Sequence, residues 1–252
     1  MIASLPMYDR PETAATLDTL WAETRARLPF DAPVRLTREG NLWDHWADPA
    51  LVLSQTCGYP YRARLIGKVQ VVGSPDNRLP DCPPGHYNSI FVVRADDPRS
   101  ALPDFARAPF AYNEPLSQSG WGAPQNHAAG LGFTFSNTVY TGAHVNSARA
   151  VAEGRADIAC IDALTWMLIQ RHDAHASELR ELDRTDPTPA LPFITAPGYD
   201  AAAIAAALAG ALDALSPAAR DTIGLYGLAR VTDAQYMAIP NPADPGAARP
   251  SA

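Results

Sequence analysis

Two stretches of small polar residues stand where a strand-like segment gives way to a helix-like one. The first is Asn113-Glu114-Pro115-Leu116-Ser117-Gln118-Ser119-Gly120-Trp121. A serine at a helix start can cap free backbone N–H groups, or it can join them in holding an anion at the positive end of the helix dipole. Gly120 would let a ligand approach the backbone closely. No G-K-[ST] follows, so this is not a nucleotide P-loop. The second stretch is Thr141-Gly142-Ala143-His144-Val145-Asn146-Ser147. A histidine at a helix start tends to stay neutral, and a neutral imidazole can still donate one hydrogen bond to an anion. Asp162 marks a third junction, as a cap for the next helix or as a partner for a ligand cation. For each junction a plain capping role is the alternative.

The elements that would position these residues alternate. The sequence predicts strands at 2–5, 33–37, 51–53, 68–72, 87–94, 110–113, 139–142, 157–161 and 179–182. Between them it predicts helices at 11–28, 43–46, 102–105, after 117, 144–154 and 163–171. The quartet Gly73-Ser74-Pro75-Asp76 reads as a turn, and 187–197 as proline-rich and extended. Helices follow at 201–215, capped by Asp200, and from Ser216-Pro217 to about Leu225. A Pro/Ala tail after Pro240 reads as frayed. Alternation of this kind argues for α/β architecture with mostly parallel sheets, where ligands bind beyond the carboxyl ends of strands. Three polar junctions in one half of such a fold therefore point to one site. A facing wall could come from Tyr8, Trp43, Gln55 and Tyr59 near other strand ends, or these could be ordinary core and surface residues.

Composition removes several classes of function. The 252 residues carry 20 Lys+Arg against 27 Asp+Glu, a net charge of −7, and Lys68 is the single lysine. Nucleic-acid binding needs a clustered basic face, so that partner is not expected. No apolar run approaches the roughly 18 residues of a membrane span. Residues 1–10 lack the basic head, apolar core and small-residue cleavage site of a secretory leader, which keeps a cytoplasmic location open. Cys57, Cys82 and Cys160 form no C-x-x-C pair; one Cys57–Cys82 disulfide or three reduced thiols are both open. The pair His172/His175 reads as a solvated helix end, and no metal or cofactor is expected. For an enzyme, His144 with Asp162 or Cys160 is the one constellation available, and no catalytic residue is assigned.

Six ordered segments carry a family resemblance: SQTCGY (54–59), Y-x-S-x-x-x-V-R (87–94), AYNEPLSQSGW (111–121), TGAHVNS (141–147), AVAEGRADIACID (150–162) and TPALPFIT (188–195). Together they resemble the phosphate/phosphonate receptors of ABC importers, the PhnD-like group. The resemblance implies a type II periplasmic-binding-protein fold with two α/β lobes, two crossing segments near 85–94 and 184–197, and a ligand cleft between the lobes. It assigns 1–88 and 190–252 to one lobe and 89–189 to the other. It implies a monomeric, periplasmic solute receptor that meets an ABC permease and binds a small oxyanion-bearing ligand, such as a phosphonate or phosphate ester. A stand-alone intracellular sensor and an enzyme on the same fold are the alternatives. The family's phosphonate-gripping turn falls on Ser117, Gln118 and Ser119, its Gly-His element on Gly142 and His144, and its tyrosine on Tyr87. The family's two amine-gripping carboxylates fall on Leu164 and Leu191, with Asp162 the one carboxylate nearby.

Overall fold

A computed structural model describes residues 1–243, and the chain divides into two compact units. The first contains Met1–His86 and Pro189–Met237. Its five-stranded sheet runs in the order Ile2–Ala3, Leu51–Gln55, Phe193–Thr195, Gln70–Asp76, Gly227–Ala229. Helices Ala14–Arg27 and Ala201–Ala214 cover it through Leu17, Leu20, Trp21, Ile204, Leu208 and Leu212, all buried. The spacing of these residues at three and four puts them on one helical face. A second cluster gathers Trp46, Leu51, Tyr61, Ile194 and Tyr236.

The second unit holds Tyr87–Thr188 and, of the described residues, 238–243. Its sheet order is Thr138–Tyr140, Phe110–Tyr112, Ile158–Asp162, Ser89–Arg94, Leu179–Arg184. Phe110 stacks on Phe135 at 4.3 Å, and Trp121 stands edge-on to Phe110 at 6.4 Å. Residues 238–243 belong to the second unit, where Trp121 Nε1 donates to Ala243 O and Asn126 Nδ2 to Pro240 O. The rest of the tail expected to fray lies outside the described residues.

The sheets are mixed rather than mostly parallel. Parallel pairing is kept within each run of alternating strands and helices: Ile2–Ala3 with Leu51–Gln55, and Phe110–Tyr112 with both Thr138–Tyr140 and Ile158–Asp162. The strand that follows each crossing is antiparallel. Ser89 pairs with Asp162, and Phe193 with Gln55, so each incoming strand starts at the carboxyl end of its neighbour and runs back. A strand that reaches the sheet without a helical crossover has no way to enter from the amino end.

Two local expectations fail. Residues 33–37 form no strand and contribute one backbone bond, Thr37 N to Ala3 O at 2.7 Å, which no neighbouring bond repeats as a ladder would. Residues 73–76 continue the strand Gln70–Asp76 instead of turning. Pro75 is tolerated there because pairing with Phe193–Thr195 stops at Gly73, leaving Leu228 as its one ladder partner. The expected caps are present: Asp200 accepts from Ala202 N and Ala203 N, and Ser216 from Ala219 N. The three cysteines are thiols with no disulfide among them. Among the described residues no single helix is long and apolar enough to cross a membrane.

Candidate functional site

The three junctions of the second unit share one sheet edge. The strands Thr138–Tyr140, Phe110–Tyr112 and Ile158–Asp162 are adjacent and parallel, so their carboxyl ends point the same way. Each is followed by a helix start: the π-turn Gln118–Gly122 that leads into Ala123–Gly130, then His144–Ala152, then Ala163–His172.

At the first start Ser117 is the N-cap, and its Oγ accepts from Gly120 N at 2.9 Å. Ser119 Oγ lies 3.5 Å from Ser117 Oγ and shares a 2.8 Å hydrogen bond with His144 Nε2. The sequence separation of 25 residues is closed because the two parent strands are neighbours. Gly120 is required by this approach: a Cβ there would collide with Asn113 Oδ1 and lie 3.1 Å from His144 Cε1. Gln118 is buried at the turn, beside both serines.

The second start has Ala143 as its N-cap and so no side-chain cap. Its first-turn N–H groups have no intrahelical acceptor. Thr141 Oγ1 and Ser147 Oγ are 2.6 Å apart, and Asn146 Nδ2 donates to Thr141 O, fixing the loop whose Gly142 has φ +80°. The His144 residue is half-buried, but Nδ1 is fully covered and has no hydrogen-bond partner. Burial pushes its pKa down to about 4, so the imidazole is neutral at pH 7.

Asp162 is buried, and its Oδ1 caps the third helix by accepting from Thr165 N at 2.8 Å. Tyr87 is buried in the strand His86–Tyr87. Three residues at strand ends had no role assigned from the sequence, although Asn113 heads the first polar stretch. Asn113 Oδ1 and Asn88 Oδ1, in the second unit, and Thr56 Oγ1, in the first, are buried without a hydrogen-bond partner. The available signal was position alone, one or two residues from strand ends.

In the first unit Tyr8 and Gln55 line one small cavity of about 20 Å³ with Leu5, Asn77 and Phe193. Gln55 Nε2 donates to Leu191 O at 3.1 Å. Trp43 and Tyr59 do not line it. Trp43 packs edge-on to Trp46 at 5.1 Å under the Arg64 guanidinium, and the buried Tyr59 lies under that of Arg62. Leu164 and Leu191 are both buried core residues. Among the described residues no group of three His, Cys, Asp or Glu is placed to hold a metal ion.

Two mixed α/β units, each with helix starts at the carboxyl edge of its sheet, define a type II periplasmic-binding-protein fold, and solved structures agree. PhnD1 of Prochlorococcus marinus in complex with methylphosphonate superposes with a TM-score of 0.73 at 13% identity, over 92% of this chain and 93% of that one. A binding-protein component of an ABC phosphonate transporter from Pseudomonas aeruginosa gives 0.61 at 13% identity, over 92% and 78%. A Xanthomonas citri protein bound to chloride gives 0.64 at 15% identity, over 93% of each chain. No curated protein matches the chain. Residues 53–236 match the model of the ABC-transporter phosphonate periplasmic substrate-binding proteins, and the chain belongs to that family. Its role is that of a solute-binding protein.

Proposed function

We propose that the protein captures a small oxyanion-bearing ligand, a phosphonate or phosphate ester, and delivers it to an ABC permease from the periplasm. The observation that carries this reading is the Ser119–His144 hydrogen bond at two converging helix starts, with a buried imidazole nitrogen left without a partner. Hydroxyls, first-turn N–H groups and a neutral histidine are donors suited to oxyanion oxygens. Ser117, Gln118, Ser119 and His144 hold the oxyanion, with Tyr87 and Asp162 beside them. Leu164 stands where the resemblance puts an amine-gripping carboxylate, so a ligand without an amine suits the site best. The protein acts as a receptor and carries out no reaction of its own.

Titration calorimetry of the full chain with methylphosphonate tests this. Binding is expected at micromolar concentration or tighter, and Ser119→Ala with His144→Ala is expected to abolish it. Equal binding by the double variant would overturn the site.

A further inference from the structure

Asn113 follows the strand Phe110–Tyr112 and precedes Ser117 by four residues. Its Oδ1 is buried with no donor, and it rests against Gly120 where His144 also closes in. Amide oxygen, helix start and imidazole thus meet at one point. Asn88 belongs to the same sheet edge, since its carbonyl accepts from Ala163 N at the third helix start. It is 4% exposed, and its Oδ1 also lacks a donor.

A buried carbonyl oxygen without a donor is costly, and the side chains around it do not remove that cost. The groups proposed to hold the ligand are donors, whereas these two oxygens are acceptors. An acceptor repels a bare oxyanion oxygen and attracts one that still carries a proton. Ser117, Ser119 and neutral His144 supply no positive charge, which favours a singly charged head group over a dianion. Phosphate esters lose their second proton at about pH 6, so a P–OH form is within easy reach at neutral pH. Sulfonates and sulfate have no such proton left.

Building on the oxyanion reading, the geometry points to Asn113 as a specificity-determining residue: its Oδ1 accepts the P–OH proton of a phosphonate or phosphate-ester monoanion, and the site thereby rejects sulfonates. The buried Asn88 oxygen offers a second acceptor to the same class of ligand.

The test compares methylphosphonate with methanesulfonate, a near-isostere without the proton, by calorimetry on the full chain. The natural protein is expected to prefer methylphosphonate by about 10- to 100-fold, the worth of one buried hydrogen bond against an unsatisfied oxygen. Asn113→Ala is expected to remove most of that ratio, chiefly by weakening methylphosphonate. Equal affinity of the natural protein for both compounds, or an unchanged ratio in the variant, would overturn the inference while leaving the oxyanion reading intact. Failure of the natural protein to bind either compound would overturn both. If Asn113→Ala does not fold, the ratio in the natural protein and in Asn113→Ser decides.

Discussion

In the first unit Ser4 and Ser54 share a 2.8 Å hydrogen bond, Gln55 donates to Leu191 O, and the Tyr236 hydroxyl accepts from Ser74 and donates to Ala190 O. In the second, at the carboxyl edge of its sheet, His144 Nδ1, Asn113 Oδ1 and Asn88 Oδ1 are buried with no partner. Both units bury polar groups, but one uses them to hold itself together. The other keeps several unsatisfied where helix starts converge. A buried polar atom with an internal partner is part of the fold. One without a partner at such an edge calls for a partner from outside the fold, which supports the proposed ligand site. The first unit has two exceptions, His45 Nδ1 and Thr56 Oγ1, and Thr56 too follows the carboxyl end of a strand, Leu51–Gln55.

The largest effect expected from this contrast is a pH dependence carried by the second unit. His144 has a pKa of about 4 in the folded protein against an ordinary value of 6.5. Between those values the unfolded chain takes up a proton that the native state refuses. Stability is therefore full above pH 6.5 and falls as pH drops toward 4, by at most about 3 kcal/mol. His144→Gln is expected to flatten that part of the profile, read from urea midpoints at pH 7 and 4.5.

Next comes the internally satisfied set. Tyr236→Phe strands Ser74 and Ala190 O and is expected to cost about 2 kcal/mol of stability. Ligand affinity, measured by calorimetry on the same variant, should not change. A large loss of affinity would break the contrast between the units.

Gly120→Ala drives a methyl group against Asn113 Oδ1, the mobile end of a side chain. Affinity for methylphosphonate is expected to fall about tenfold, or ~1.4 kcal/mol. The melting temperature should move little, because the amide can swing aside.

The smallest effect belongs to Asp200→Ala, which removes the N-cap of Ala201–Ala214 and should cost about 1 kcal/mol by denaturant titration, with binding unchanged.

Much of the fold was legible in the residues. The β-branched and aromatic run in Ser89–Arg94 announced a strand, and Asp200 and Ser216-Pro217 announced helix starts. The direction of Ser89–Arg94 and Phe193–Thr195 was hidden. It depends on partners such as Asp162 and Gln55, more than 70 residues away in the chain, and no local pattern records which edge a strand enters from. Turn chemistry misled at residues 73–76, where strong turn formers sit in a strand because one neighbour has already ended. At the candidate site the capping serines and His144 were readable as helix starts. Asn113, Asn88 and Thr56 were not, since an unsatisfied oxygen is a property of the packed structure and not of the residue type.

The return of residues 238–243 to the second unit gives the chain a third passage between its two bodies, after those at His86/Tyr87 and Thr188/Pro189. The second body is therefore sewn from two separate pieces of polypeptide. A contiguous fragment covering 87–188 would leave the Trp121 indole and the Asn126 amide without the carbonyls of Ala243 and Pro240. During synthesis the helix start that bears Ser119 gains the contacts of Trp121 and Asn126 only after residues 238–243 have left the ribosome.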